Sequence, residues 1–387
     1  MADAYLAHRT QISYGEETTP GTKASTCAAQ FGMIESMEFP DPTKDWKKYW
    51  ALGAGRDYNV KAEGKNTMES SFDVVLQTGT PLFYAFGQET CTADVSGTGQ
   101  TTLATAMTAG STTATLASAS GITADLYIQI GESGSREIRK ISDVSGSVII
   151  LDKAVRFSHV DSAGVSLQTG SVYTHTLSVG NTLKSFTIEA AQLASTNFVR
   201  WFTGCYIDTY DISCEEEGEL MATFGIKGMK IESSGTAATT IAMSTTVPYM
   251  FDEGVLTCFG AAIGRVKTFK ISGNNKMKPL TYINSTYGRY AAEIVPGRRE
   301  ISLTFTAVPD VKTWWDKIKT TPTATTCTVV FTRTTSTDTI TFTLTDVNIE
   351  SAPHKFNEEN EQDVEFTLTA QSLSATVVDA IPYYWAV

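Results

Sequence analysis

Residues that could carry out chemistry are few and far apart in this chain. Its four histidines are His8, His159, His175 and His354. None lies at metal-ligand spacing from another histidine, a cysteine or a carboxylate, so we predict ordinary surface or turn histidines. The sequence also lacks a nucleophile elbow, a phosphate-binding loop and a zinc-protease motif. These observations predict that the protein is not an enzyme and that it holds no metal and no cofactor.

The cysteines are equally scattered along the chain. There are six: Cys27, Cys91, Cys205, Cys214, Cys258 and Cys327. No two of them form a CxxC pair, so a metal knuckle is not expected. Free cysteines are among the most frequently buried residues in proteins. We therefore predict that all six are small buried side chains.

Glutamates dominate one short segment, which contains Glu215, Glu216, Glu217 and Glu219. Two neighbouring carboxylates can act as general acid and base when one of them has a raised pKa. This run, however, separates residues 206–214 from residues 220–227, and apolar residues alternate in both segments. Such alternation predicts a β-hairpin with one buried face. We interpret the glutamates as a solvated acidic turn, with a structural use of their charge as the alternative.

The elements around this hairpin occur in the same order twice. The first set comprises strands at 34–38 and 68–76, a helix at 80–87 with Thr80 as its N-cap, a strand at 185–190, and the hairpin. The second set comprises strands at 266–271 and 301–307, a helix at 309–318, a strand at 327–333, and a hairpin of 340–344 with 364–370. The second hairpin also has an acidic turn, which contains Glu358 and Glu359. The repeat predicts a mainly β protein with two tandem sandwich or barrel domains, each with a flanking helix.

Changes in composition place the domain boundaries. Between residues 97 and 172 the chain is rich in Ser, Gly and Thr, and short strand patterns alternate with Ser-Gly turns. We predict that residues 97–172 are a small β module inserted into the first domain. That domain would comprise residues 1–96 and 173–248, and the second domain residues 249–387.

Charge limits the possible partners of the protein. Hydrophobic residues make up 42% and charged residues 19% of the chain, as in a globular protein, and the net charge is −12. Nine of the twelve excess negative charges lie in residues 1–96 and 173–248. Binding to phosphates needs clustered Lys and Arg, so DNA near this protein would slide rather than be gripped. No signal peptide and no apolar run long enough for a membrane span is apparent, so no membrane partner is expected.

Three segments outside the predicted strands are a predicted turn and two predicted loops rich in aromatic residues. Residues 198–202 are apolar and precede Gly204, a residue type that suits a helix end, so we predict a turn there. The two predicted loops, residues 39–58 and 272–297, carry the aromatic residues Trp46, Tyr49, Trp50, Tyr282, Tyr287 and Tyr290. Aromatic side chains in loops pack on their own domain or form protein interfaces, and both readings are open here.

The chain resembles a known protein family at four places. Residues 12–22 read ISYGEETTPGT, residues 186–189 read FTIE, residues 198–205 read FVRWFTGC, and residues 215–220 read EEEGEL. In this order they resemble the tail tube proteins of long-tailed bacteriophages and related archaeal viruses. The resemblance covers the predicted first domain outside the insert, and the order of the strands extends it to the second domain.

This resemblance implies a structural protein of the virion tail that assembles in the host cytoplasm. Its sheets would join between subunits into a β-barrel, and rings would stack into a hollow tube through which the genome passes. Most members have one domain and form sixfold rings, so two domains imply a homotrimer with pseudo-sixfold symmetry rather than a hexamer. The implied partners are further copies of the chain and the tape measure, terminator and baseplate proteins. The two aromatic loops would make the ring-to-ring contacts.

A second function class fits the insert better than the rest of the chain. Ser/Thr/Gly-rich β modules also occur in surface adhesins and carbohydrate-binding proteins. Glycan binding by residues 97–172 alone would favour that alternative.

Overall fold

The computed structural model describes residues 9–384, with gaps at 54, 94–95, 132–134, 169, 171, 195, 234–235, 238–240, 242–243, 284–285, 309–324, 337 and 354–362. In these residues the chain is mainly β, as predicted, with twenty-seven strands and one α-helix. None of the described helical residues forms a helix long and apolar enough to cross a membrane. The second predicted helix, residues 309–318, lies outside the described residues.

The strands are numbered in chain order. The first five are β1 (Thr10–Glu16), β2 (Met33–Met37), β3 (Thr43–Tyr49), β4 (Val60–Val75) and β5 (Gly87–Ala93). The next six are β6 (Ser96–Thr102), β7 (Thr113–Thr115), β8 (Tyr127–Ile130), β9 (Glu137–Ser145), β10 (Val148–Leu151) and β11 (Gly164–Gln168). Then come β12 (Tyr173–Val179), β13 (Phe186–Gln192), β14 (Phe198–Cys214), β15 (Met221–Gly228) and β16 (Lys230–Ser233). The last eleven are β17 (Gly254–Cys258), β18 (Ala261–Ile263), β19 (Val266–Asn274), β20 (Lys278–Leu280), β21 (Glu293–Val295), β22 (Glu300–Ala307), β23 (Cys327–Thr332), β24 (Thr339–Thr345), β25 (Asn348–Ser351), β26 (Val364–Thr369) and β27 (Ser372–Asp379).

Eight strands form one continuous antiparallel run, which we call the long sheet. Their order is β2-β4-β15-β14-β19-β22-β26-β25. Alternate residues of these strands are buried, as in β22, where Ile301, Leu303 and Phe305 are buried and the residues between them are half-exposed. Because side chains in a strand point alternately to opposite faces, one face of the long sheet packs against the core and the other is open.

A second layer packs on the buried face of the long sheet. It contains the strands β1-β13-β14-β16 and a seven-stranded sheet in the order β18-β17-β23-β24-β27-β12-β5. Buried side chains of both layers, among them Phe224 and Phe366 from the long sheet and Phe202 and Phe342 from the second layer, belong to one hydrophobic core. The layers therefore form a β-sandwich.

Strand β14 belongs to both layers, and this corrects the turn predicted at residues 198–202. These residues pair with β13 and β16, whereas the later residues of β14 pair with β15 and β19. Gly204 has a φ of 64°, and the pairing with β13 is irregular there. A Cβ atom at this position would lie 2.5 Å from the sulfur of Met229. The glycine thus marks a bulge where the strand bends, not a helix end.

The helix α1 (Thr80–Phe86) confirms the helix predicted after β4. Gly87 ends it with a φ of 88°, and its N–H donates a hydrogen bond to the carbonyl of Phe83. Pro81 lies in the first turn, but the N-cap is Gly79, so the N-cap predicted at Thr80 is wrong by one residue. All seven helical residues are buried, which fixes α1 in the core beside β14 and β12.

The long sheet consists of two groups of four strands that are paired in the same way. In the first group β2 pairs with β4, β4 with β15, and β15 with β14. In the second group β19 pairs with β22, β22 with β26, and β26 with β25. The groups meet where β14 pairs with β19, and we call this pairing the seam.

The second hairpin differs from the prediction. Strand β24, which contains residues 340–344, pairs with β23 and β27 in the second layer, and β26 pairs with β22 and β25. Residues 340–344 alternate as cleanly as a strand of the long sheet would, so the pattern alone could not assign them to a layer. The predicted turn residues Glu358 and Glu359 lie outside the described residues.

Both predicted aromatic loops contain strands. Within residues 39–58, β3 pairs with the first half of β4, and within residues 272–297, β20 pairs with β21. Strand β3 is exposed along its whole length, so it shows no alternation between buried and exposed positions that the sequence could reveal.

Residues 96–168 contain a separate six-stranded sheet in the order β6-β11-β8-β9-β10-β7. Its buried side chains, such as Ile128, Ile141 and Leu167, form a hydrophobic cluster distinct from the core of the sandwich. The sheet is entered from β5 and left into β12, two strands that pair directly with each other.

Candidate functional site: the open face of the long sheet

The open face carries small polar side chains. Besides Met221 and Thr268, nineteen partly or fully exposed residues alternate with the buried ones on six of its strands: Glu69, Ser71, Asp73, Thr209, Asp211, Ser213, Thr223, Gly225, Lys227, Lys270, Ser272, Asn274, Glu300, Ser302, Thr304, Thr306, Glu365, Thr367 and Thr369. Ten of these nineteen residues are Ser or Thr. A surface this rich in short hydroxyl side chains has few cationic or large apolar groups that could bind a ligand.

One row of paired residues crosses all eight strands. In the order of the strands it contains Ser36, Asp73, Thr223, Asp211, Ser272, Ser302, Thr369 and Asn348. Directly paired residues lie on the same face of a sheet, so these eight side chains form a continuous polar band, which we call the polar row. Asp73 accepts hydrogen bonds from Ser36 Oγ at 2.5 Å and from Thr223 Oγ1 at 2.7 Å.

The net charge of the open face is negative. The nineteen residues include five carboxylates but only Lys227 and Lys270 as cations. Lys227 lies 2.8 Å from a carboxylate oxygen of Asp208, and Lys270 lies 2.9 Å from one of Asp211. Both cations are thus neutralised by neighbours, whereas Glu69 and Glu365 are exposed. The small net negative charge that remains repels phosphate groups weakly.

Of the aromatic residues predicted to form contacts, five are well exposed and one is not. The exposed fractions are 46% for Trp46, 56% for Tyr49, 62% for Trp50, 54% for Tyr282 and 44% for Tyr287. Tyr290 is half-buried and packs against the core. The structure brings the two segments close together through β4: Glu63, which pairs with Trp46, lies 2.7 Å from Arg289, and the carbonyl of Arg289 accepts the N–H of Asn66.

The acidic turn lies where the first hairpin was predicted. Tyr206 pairs with Lys227 and Ser213 with Met221, which confirms the hairpin. Glu215, Glu216 and Glu217 are exposed in the turn, and Glu219 is half-buried and forms a β-bridge with Met250. These glutamates lie at the end of β14, beyond the last paired residues of the polar face, so they are not part of the open face as defined above.

The histidines differ from the prediction where they are described. His159 is 4% and His175 0% exposed, whereas surface or turn positions were expected. His159 Nε2 lies 2.8 Å from Glu137. His175 Nδ1 lies 2.7 Å from Glu89, and its Nε2 lies 2.6 Å from the carbonyl oxygen of Ile381. Carboxylate partners distant in sequence allow these rings to be buried. His8 and His354 lie outside the described residues.

Hydrogen-bond geometry fixes the protonation of His175. A carbonyl oxygen can only accept a hydrogen bond, and Glu89 is an acceptor when ionised, so both ring nitrogens carry a proton. Burial acts to lower the pKa of His175, but Cys91, Asp379 and Glu89 around the ring together raise it well above 6.5. Burial raises the pKa of the Cys91 thiol. The two carboxylates therefore hold the imidazolium in place.

Buried cysteines confirm the prediction made for all six, and they are free thiols. Among the described residues, no group of three or more histidine, cysteine or carboxylate side chains is arranged to hold a metal ion.

The polar row could not be predicted from the sequence. Its members are the small polar residues between the buried positions of each strand, but which of them stand side by side depends on the register of every pair.

Comparison with protein-family models identifies the family of this chain. The family model described as phage tail tube protein matches residues 7–377, which include the open face, both aromatic segments and the inserted sheet. No curated protein matches the chain. The matched region covers nearly the whole sequence, so the chain belongs to the phage tail tube protein family, a family of structural proteins of the virion.

Proposed function

We propose that this protein forms closed rings that stack into the hollow tail tube, and that the open face lines the channel through which the genome passes. The observation that supports this most is the polar row, which runs without interruption across eight strands. A wall of hydroxyl groups with a small negative charge lets DNA slide, because it neither binds phosphates nor exposes apolar surface to the bases. Virion assembly in the host cytoplasm, with tape measure, terminator and baseplate proteins as neighbours, belongs to the same proposal.

The two groups of four strands support a tandem duplication. Both have a bulge at the same place in the first strand, between Ile34 and Ser36 and between Val266 and Thr268. Both also have a bulge in the last strand, at 207–209 in β14 and 349–351 in β25. In addition, Phe72 packs on Phe224 as Phe305 packs on Phe366, with ring centroids 5.4 and 4.8 Å apart. The proposed domains are residues 1–96 with 173–248, and residues 249–387, with 97–172 inserted.

The seam supports a specific way to close the ring. At the seam, the last strand of the first group (β14) pairs with the first strand of the second group (β19). Strand β25 is the last strand of the second group and β2 is the first strand of the first group. They are the two edges of the long sheet, and each has one partner among the described strands. Pairing β25 of one subunit with β2 of the next would repeat the seam between chains and remove both edges.

The number of strands favours three chains. Three copies supply 24 strands, eight from each. With strands roughly 4.8 Å apart and tilted by about 40°, such a barrel measures roughly 50 Å across its backbone. Six copies would supply 48 strands and a barrel of roughly 100 Å, far wider than a DNA duplex needs. A trimer with pseudo-sixfold symmetry is therefore the proposed ring.

Replacing Glu35 with proline tests the closure. Glu35 is the extra residue of the bulge in β2 and has no partner in β4, so the change spares the β2–β4 ladder but removes an N–H from the outer edge. We expect a folded protein that no longer forms rings. Light scattering after size-exclusion chromatography measures the assembly state, and circular dichroism checks the fold.

Glu35→Ala is the matched control, since it removes the same carboxylate but keeps the N–H. It should assemble as the unmodified protein does. Normal rings from the proline variant would contradict the proposed edge pairing.

Placing lysines on the open face tests its orientation toward the channel. Glu69→Lys combined with Glu365→Lys changes the charge of this face from −3 to +1 per chain. Tubes assembled from this variant with short DNA duplexes should retain about tenfold more DNA, and retention should fall steeply as salt increases. The retained DNA should resist nuclease because it lies inside the tube.

The matched control places two lysines on the inserted sheet, at the exposed positions Asp125 and Asp161. DNA bound by that variant should remain open to nuclease. If the open-face variant also left its DNA open to nuclease, the open face would not line the channel.

A further inference from the structure

The long sheet has two chemically different ends. Strand β4 has sixteen residues, so it is roughly 50 Å long. Its first residue, Val60, pairs with Tyr49 in the aromatic segment, and its last residue, Val75, pairs with Met221 next to the acidic turn. The aromatic segments and the acidic turn therefore lie at opposite ends of the same strand.

The end that carries the aromatic segments is basic, and we call it the hairpin end. It comprises residues 43–65, with six Lys or Arg against three Asp or Glu, and residues 275–299, with five against one. In a chain of net charge −12 this is a local excess of seven positive charges. Around the tip, Trp50 is 62% and Leu52 106% exposed, which is unusual for side chains of this size.

The opposite end is acidic, and we call it the turn end. It comprises residues 215–219 and 250–254, which contain six carboxylates and no Lys or Arg. The two segments are joined by the N–H of Phe251, which donates to the carbonyl of Gly218 at 3.0 Å. Charge thus distinguishes the two ends of the molecule.

The turn end also contains an apolar groove. Its volume is about 240 Å³, and its floor includes Leu256, Phe269 and Phe331. Glu215 and Glu216 stand on its rim together with Lys267, whose ammonium group lies 3.0 Å from the carboxylate of Asp363. Val255 lines the groove and is 53% exposed. An apolar groove with an acidic rim matches the exposed apolar tip of the hairpin end, which is flanked by Lys47, Lys48 and Arg56.

We propose that the groove at the turn end receives residues 50–52 of a second copy of this chain, in the adjacent ring. Trp50 and Leu52 enter the groove, and the lysines behind them face the glutamates on its rim. This inference rests on the proposed function, because two opposite ends of one molecule can meet repeatedly only if the copies are stacked head to tail. The same contact then gives the tube its direction.

Charge reversal tests the electrostatic part of the contact. Lys47→Glu with Lys48→Glu should leave rings intact but shorten tubes at least tenfold, as measured by electron microscopy. Adding Glu215→Lys and Glu216→Lys to the same chain should restore long tubes. The control, Lys140→Glu with Lys153→Glu on the inserted sheet, changes the same number of charges and should have no effect.

A cross-link tests the geometry and does not depend on the charge variants folding well. Leu52→Cys and Val255→Cys in one chain should give a ladder of disulfide-linked multimers on oxidation of the tubes, because the two Cα atoms would come within about 7 Å. The six native thiols are buried, so each single variant should give no ladder.

The outcomes separate this inference from the proposed function. Tubes that form normally without a ladder, and that are insensitive to the charge reversal, would overturn the groove contact alone. Absence of rings and tubes from the unmodified chain would overturn the proposed function as well.

Discussion

Replacing His175 with alanine should lower the free energy of unfolding by about 3–5 kcal/mol, because it leaves buried carboxylates without their cation. Glu89 would keep Arg156 at 3.1 Å, but Asp379 would lose the imidazolium 3.4 Å away. The ring of Tyr384, which stacks on His175 at a centroid distance of 4.0 Å, would also lose its contact. Urea denaturation followed by circular dichroism measures the change.

Thr176→Ala is the control for this variant, since Thr176 is the exposed neighbour on the same strand. Its effect should stay within about 0.5 kcal/mol, as for most surface changes. An equally small effect of His175→Ala would contradict the inferred imidazolium between two carboxylates.

The same cluster predicts how stability depends on pH. The pKa of His175 is raised above 6.5 in the folded protein. The stabilisation that the protonated ring gives to the folded state is therefore complete below about pH 6.5 and is lost as pH rises through the raised pKa. The pKa of Glu89 is lowered from 4.5: burial opposes this, but His175 and Arg156 outweigh it. Its contribution is therefore present above pH 4.5 and lost in acid. The difference between the unmodified protein and His175→Ala should be largest between these two values.

Replacing Gly273 with alanine should disturb the pairing of β14 with β19 at the seam. We expect it to lower the free energy of unfolding by about 1–3 kcal/mol or more. Gly273 pairs directly with Tyr210, and a Cβ atom there would lie 2.0 Å from the Cζ atom of the tyrosine. Tyr210 is 1% exposed and its ring packs on Phe86 at 5.4 Å, so it cannot swing away without disturbing the core. Thermal and urea unfolding measure the loss.

Gly264→Ala is the matched control, because a Cβ atom at Gly264 would meet nothing within 4 Å. It should leave stability nearly unchanged. The double variant Gly273→Ala with Tyr210→Ala should be less destabilised than the sum of the two single changes, since the collision is then absent. Additive effects would show that the tyrosine does not set the cost at Gly273.

Local features of the fold could be predicted from the sequence because their signals are local. The hairpin of β14 and β15 follows from alternation, and α1 follows from Pro81 and Gly87 at its two ends. The assignment of β24 to the second layer did not follow, because alternation gives a strand a buried face but not a partner. Similarly, His175 and Glu89 are 86 residues apart, and no sequence spacing predicts their contact.

The candidate site was harder to predict for the same physical reason. The acidic turn was visible as a run of glutamates, and the aromatic segments were visible as clusters. The polar row is made of single residues from eight strands, each unremarkable in its own segment. It exists only because seven pairings have compatible registers, and a shift of one residue in any of them would interrupt it.

The continuity of β14 has a mechanical consequence. Bending of the proposed tube would make its two layers slide over each other, and β14, which is paired with strands of both layers along one continuous strand, would resist this shear. In the second group of strands the corresponding path is divided into β24 and β25, with Asp346 at a φ of 51° between them. In the proposed tube, each subunit would therefore have a stiffer half and a more compliant half, and we expect bending of the tail to be concentrated in the second group.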